Sequence, residues 1–418
     1  MQRFGIAAFT VVCLIAVDVA NAGRAAQLDP TFGAGGLAIV PGETCDAGLA
    51  DDDTDGVLVD KDGRVVVVGS GGCGLPDVVV ARFTPSGAPD PAFGDGGVTR
   101  LDLGATEDVS DAALTPEGAV LVLADRASGF GGIPSGAILL RFGSNGRLDR
   151  TFGGDGQVPL LGDQVWELES LPTGGVLVFG ASADEDVLLM RFGPDGRRDP
   201  SFGSRGRIEV PVPRHGTGLD VVVDSRGRLV ITGARDVEGR ETHFLPIVTR
   251  LLPDGSFDRS FGASGRRWQT LPIPDGYTDQ VALDRWGHIV VFGVVFDGDR
   301  HVVARLRRTG SLDWSFGGGG VVYTQARGEN AIDRRGRLLF VYTITDAVTF
   351  DPRFAVTRLT RRGDPDRTFG TAGTIVPDLP PAIGRSIAVA GGSICIAGSV
   401  AVRDEPTRRI GVARLLAR

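Results

Sequence analysis

The sequence predicts an all-β fold, a seven-bladed β-propeller with four antiparallel strands per blade. Three observations lead there. The dipeptide Phe-Gly, opened three residues earlier by Asp, recurs seven times, at Asp29/Phe32, Asp90/Phe93, Asp149/Phe152, Asp199/Phe202, Asp258/Phe261, Asp313/Phe316 and Asp366/Phe369. The Phe residues are 61, 59, 50, 59, 55 and 53 residues apart, a period that signals one repeated supersecondary unit. Between the motifs lie short Val-, Leu- and Ile-rich runs bounded by Gly, Pro or Asp, with no helical period.

The first repeat shows the elements in order. Residues 36–40 form one strand, 56–60 a second, 64–69 a third and 77–83 a fourth. The second and third are joined by a turn in which Asp accepts a backbone hydrogen bond and Gly takes positive φ. That turn returns as Asp224-Ser-Arg-Gly227, Asp284-Arg-Trp-Gly287 and Asp333-Arg-Arg-Gly336, and in shorter form at Gly391-Gly392. A solenoid needs distinct capping repeats at its ends, whereas a closed ring needs none. The seven units therefore read as blades of one ring, spanning residues 23–418 as a single domain.

The ring should close through the chain ends. An arginine ends the last strand of each unit, eight residues before the Asp of the next motif: Arg82–Asp90, Arg141–Asp149, Arg191–Asp199, Arg250–Asp258, Arg305–Asp313 and Arg358–Asp366. The offset is constant while repeat length varies, so it implies a direct contact across one turn. A seventh arginine, Arg414, has no Asp after it, and Asp29 has no arginine before it. Arg414 should therefore meet Asp29, and residues 36–40 should supply the outer strand of the last blade. A bidentate guanidinium–carboxylate clamp is the expected role of these pairs, with the neighbouring Phe wedged between blades.

Composition bounds the function. Of 418 residues, 42% are hydrophobic and 23% charged, a globular balance, and 63 Gly suit many tight turns. A net charge of −8 excludes a nucleic-acid partner on electrostatic grounds. Residues 1–22 read as a signal peptide: Arg3, an apolar run over 4–17, and Ala20-Asn21-Ala22 as the cleavage site after Ala22. The mature chain is then secreted or periplasmic, without a transmembrane anchor, and is read as a monomer. Secretion permits a disulfide, and Cys45 and Cys73 fall in loops that open on one face. Cys395 lies within an apolar strand and reads as a buried free thiol.

Candidate site residues come from aligning the copies on the hairpin Gly. The position before the apolar stretch of the innermost strand is then Gly56, Asp111, Glu167, Asp220, Gln280, Glu329 and Ser386. Four are acidic and should ring the channel mouth, where like charges raise pKa values or hold a divalent cation such as calcium. The competing structural role for these side chains is to bond neighbouring backbone N–H groups. The run Asp51-Asp52-Asp53-Thr54-Asp55 leads into the same face. His215 precedes an innermost strand and His243 is placed in a long loop of the same blade, a possible transition-metal pair. The sequence contains no Gly-x-Ser-x-Gly elbow, His-Glu-x-x-His helix or phosphate loop.

The run Leu28-Asp-Pro-Thr-Phe-Gly33, with the Asp-x-x-Gly-Arg turns and Ala-Arg-Phe strands, resembles the bacterial delta-60 repeat family across the mature chain. The resemblance implies a secreted, propeller-like repeat protein and brings no catalytic residues with it. The resulting expectation is a binding or scaffold module presenting one loop face to a protein or glycan. The alternative is a metal-assisted hydrolase or cofactor-dependent dehydrogenase at the channel mouth.

Overall fold

The computed structural model describes residues 28–42, 53–72, 75–127, 134–160, 162–213, 216–237, 240–262, 267–296, 300–326, 328–346, 348–402 and 408–416. Residues 1–22, read above as a signal peptide, and Cys45, Cys73, Asp51, Asp52 and His215 lie outside these residues. Among the described residues there is no helix, and the strands form seven four-stranded antiparallel sheets. Six blades are sequential: residues 53–101, 106–160, 164–210, 217–270, 276–324 and 329–375. The seventh joins Ala382–Ala390, Ser393–Ala401 and Arg408–Leu416 to the N-terminal strand Leu37–Ile39.

That closure follows the sequence expectation. Leu37 pairs with Ala413, Ala38 with Val412 and Ile39 with Gly411. Arg414 Nε lies 2.9 Å from Asp29 Oδ2, and the Asp29 N–H donates to the Arg414 carbonyl at 2.8 Å. The other six pairs repeat this arrangement, with Nε–Oδ2 separations from 2.8 Å at Arg82–Asp90 to 3.3 Å at Arg141–Asp149.

The arginine does more than clamp its own turn. Its other nitrogen reaches the following blade: Arg82 donates to the Ser144 carbonyl, Arg191 to that of Pro253 and Arg414 to that of Pro85. Its guanidinium also stacks over the motif Phe, 4.2 Å from the ring centroid at Arg358–Phe369 and 4.4 Å at Arg414–Phe32. Charge, hydrogen bond and ring face are thus satisfied together at one blade boundary.

The core is divided the same way. Each apolar cluster holds one motif Phe and lies between two blades. Phe32, fully buried, packs against Val57 and Phe83 of the first blade and Val412 of the seventh. The middle strands, such as Val65–Gly71, are buried along their whole length, as continuous apolar runs imply. No helix among the described residues is long and apolar enough to cross a membrane.

Antiparallel order gives the disc two unlike faces. The Asp-x-x-Gly hairpins and Phe-Gly turns share one, here called the clamped face. The turns between the two middle strands of each blade, such as Val65–Gly71 and Asp77–Phe83, and the links into each next blade share the other, called the open face. Inner strands begin at the open face.

Candidate functional site

The inner strands converge on a channel whose open-face end encloses about 600 Å³. It is lined by Asp55, Asp111, Glu167, Asp220, Asp279 and Glu329, with Arg385 as the cation among the lining residues. Asp111, Glu167, Asp220, Gln280 and Glu329 all lie here, at equivalent register. Asp111 pairs with Leu123, Glu167 with Phe179, Asp220 with Thr232, Gln280 with Phe292 and Glu329 with Val341.

A β-bulge makes the mouth denser in charge than the alignment implies. In six inner strands the register shifts one residue before the aligned position, leaving Asp55, Ser110, Trp166, Leu219, Asp279 and Arg385 unpaired. A bulge re-aims the side chain it carries, and these residues line the channel beside the aligned ones. Asp55 and Asp279 are thereby added to the acidic ring. Glu169 lies two residues beyond Glu167 and so projects from the same side of its strand. Sequence alignment passed over all three. The available signal was that the residue before each aligned position is often polar.

Part of the ring serves the fold. Leu168 N–H donates to Asp111 Oδ2 at 2.8 Å, Val281 N–H to Asp220 Oδ2 at 2.5 Å, and Val57 N–H to Ser386 Oγ at 3.1 Å. Each bond runs from one blade to the next. Gln280 Nε2 reaches Glu329 Oε2 at 3.0 Å, and the Asn330 amide reaches Gln280 Oε1. The side chains at the aligned position therefore bind neighbouring backbone and also face the channel.

The electrostatics are those of carboxylates crowded in a confined channel. Burial, ahead of the Asp220 charge, pushes Asp111 up to about 7. Burial followed by the charges of Asp220 and Asp111 pushes Glu169 up to about 8. Asp55, Asp279 and Glu329 are each raised to about 7, again by burial first and then by neighbouring carboxylates. Glu167 is raised well above the carboxylate range by burial and by Asp220, to which it hydrogen-bonds. Asp220 is raised as well, chiefly by burial, so the two carboxyls of neighbouring blades titrate as an interacting pair.

The remaining expectations fall elsewhere. His243 is not in a loop. It belongs to the strand Arg240–Leu251, which is longer than the equivalent strands of the other blades, and its Nδ1 lies 2.8 Å from Asp275 Oδ2. His288 is bonded to Asp284 Oδ2 at 2.7 Å in a clamped-face hairpin, where the first, fourth and sixth blades have Arg after the turn Gly. Cys395 is a buried free thiol, with burial pushing it up to about 12.

Aromatic residues collect on the open face of the fourth to sixth blades. Phe296, which is 46% exposed, stands 6.1 Å from Phe244 and 5.8 Å from Tyr277, while Phe350 and Val348 project from a neighbouring turn. These positions fall in segments that differ between repeats, so the repeat pattern could not reveal them. A hollow of about 540 Å³ on the clamped face is lined by Arg226, Arg228, Arg250, Arg285 and Arg308. Arg228 and Arg250 are held there by Asp224 and Asp258.

Fold and site together define a seven-bladed β-propeller whose channel mouth is acidic. The model of a family described as a domain of unknown function (DUF5122) beta-propeller matches residues 61–93. No curated protein matches the sequence. Among solved structures the chain resembles the polysaccharide lyase Uly1 at 10% identity and TM-score 0.52, covering 91% of this chain and 92% of that one. It also resembles Drosophila Semaphorin 2a at 8% identity and TM-score 0.47, covering 91% and 77%. The β-propeller domain of the Trilobed protease from Pyrococcus furiosus matches at 9% identity and TM-score 0.49, covering 87% and 95%. At 10% identity the likeness to Uly1 speaks to the fold alone.

Proposed function

We propose that the protein is a secreted β-propeller binding module of the delta-60 repeat type, and that its open face receives a protein or glycan ligand carrying cationic groups. One observation carries this reading. Asp55, Asp111, Glu167, Glu169, Asp220, Asp279 and Glu329 gather in and around one channel mouth, and burial and mutual repulsion hold most of them near neutral pKa. A cation entering the mouth relieves that repulsion. The aromatic surface around Phe296 adds apolar contact of the kind that binding faces use. Secretion is part of the proposal and rests on Arg3, the apolar run and Ala20-Asn21-Ala22. So does a Cys45–Cys73 disulfide.

The test uses a hexa-arginine peptide and a glucosamine hexamer as probes, titrated by calorimetry. One of them should bind the mature protein and weaken at least tenfold in an Asp111→Asn/Glu169→Gln variant. Asp62→Asn on the clamped face should change nothing. Failure of both probes to bind, or equal binding by the channel variant, rejects the reading.

A second reading, a hydrolase with Glu167 as acid and Asp220 as base, is favoured by the hydrogen bond between them and by the marked upward shift of Glu167. It requires turnover of a glycan or peptide panel that disappears in Glu167→Gln.

A further inference from the structure

A second carboxylate cluster lies away from the channel, where the first blade meets the second. Asp77 opens the third strand of blade one. Asp102 follows that blade's outer strand, and Glu107 stands at the start of the next inner strand. One carboxylate oxygen from each lies within 4.8 Å of one from each of the others. Among the described residues this is the sole such grouping of three, and the channel carboxylates do not form one.

Two further features point to a ligand. Glu107 is fully buried, and its Oε1 accepts no hydrogen bond, with the Arg126 guanidinium 3.9 Å away. A buried carboxylate oxygen left in that state is costly. Its other oxygen is oriented by the Leu103 N–H at 3.5 Å, and its own N–H is pinned to the Pro76 carbonyl at 2.9 Å. The glutamate is therefore held by both blades. The second feature is Gly72, where a Cβ would stand 3.2 Å from Asp77 Oδ2, so any larger residue would displace that carboxylate from the cluster. The Arg126 guanidinium faces the Glu107 charge, and Asp77 makes an interaction of its own. Asp102 is exposed and gives access from solvent.

We infer that Asp77, Asp102 and Glu107 bind a divalent cation, calcium in preference to magnesium, that staples blade one to blade two. Calcium–oxygen bonds of about 2.3–2.6 Å keep any two ligand oxygens within about 5.2 Å of one another, and the three carboxylates meet that bound. Magnesium requires bonds of about 2.0–2.1 Å and a stricter octahedron. All three ligands are hard oxygens, as calcium requires. The site is independent of the channel and of any ligand bound there.

Calcium titration of the chelator-treated mature protein, followed by calorimetry, tests the inference. One ion per chain should bind, and Asp102→Asn should weaken it at least tenfold. Glu107→Gln, which keeps the side-chain shape, should abolish it. Asp111→Asn in the channel should leave calcium affinity unchanged. If Glu107→Gln fails to fold, the exposed Asp102→Asn decides alone. No bound ion in the parent, or equal affinity in Asp102→Asn, overturns the assignment. A loss in Asp111→Asn instead moves the ion to the channel and also overturns it.

Discussion

Arg414 and Asp29 are 385 residues apart in the chain and joined through two guanidinium nitrogens, Nε at 2.9 Å and an Nη at 2.8 Å from the same carboxylate oxygen. The other Nη donates to the Pro85 carbonyl at 2.6 Å, so one side chain holds the N-terminal segment, the last blade and the first.

Breaking this contact should loosen the whole ring. Asp29→Ala removes a charged hydrogen-bond acceptor from a side chain that is almost wholly covered, at a cost of about 1.5–3 kcal/mol. Deleting residues 23–41 also removes the outer strand and Phe32, and should lower the melting temperature far more. Thermal melts of both variants beside the parent check this; a deletion that melts like the parent contradicts closure through the N-terminus.

Stability should fall as pH rises from about 4 to about 8. Glu169, Asp111, Asp279 and Glu329 have folded pKa values raised to about 7 or 8. Over that window the folded state holds more protons than the unfolded chain, so raising pH favours unfolding. Their stabilising protonation is complete below the unfolded values near 4 and is lost through 7–8. The clamp aspartates act oppositely. Asp149 and Asp199 are lowered, chiefly by bonds from Thr151 and Ser201, so their contribution is present above about 4 and lost in stronger acid. Glu169→Gln should raise the melting temperature at pH 8 and change it little at pH 4. An equal shift at both pH values would contradict the assignment.

Two glycines that both need positive φ should respond differently to alanine. A Cβ on Gly146 would lie 2.6 Å from Gly94 N and 2.8 Å from Phe93 Cδ1, because this turn sits on the Phe-Gly motif of the preceding boundary. A Cβ on Gly96 meets nothing within 4 Å. Gly96→Ala should cost only the backbone strain, about 1–2 kcal/mol. Gly146→Ala should cost clearly more, measured by urea unfolding. Equal losses would show that the boundary has room to shift.

Much of the fold was legible because its fastenings are local. The Arg82-to-Asp90 offset spans one turn, so the same eight residues recreate the contact wherever the repeat occurs. The Asp60 and Asp224 turns likewise close within four residues, both carboxylates bonding the Arg that follows the Gly. The open face was less legible. His243 was misplaced because nothing local marks how far the hairpin ending in Arg240–Leu251 extends. Asp279 was passed over, and Asp55 was read only as part of an acidic run leading to that face, because a bulge is a property of strand pairing, not of one strand's pattern.

The sequence by itself determined the number of blades, the clamp at each boundary and the closure of the ring through Asp29. Each depends on contacts at short, repeated spacing or on a single unpaired partner. Only the tertiary structure decided that Asp279 and Glu169 join the aligned carboxylates at the channel mouth, that Glu167 and Asp220 hydrogen-bond across two blades, and that Asp77, Asp102 and Glu107 meet. Those groups come from different blades or from separate turns. Their convergence depends on how the blades are arranged about the common axis and on the bulges that turn side chains inward, and no local spacing encodes either.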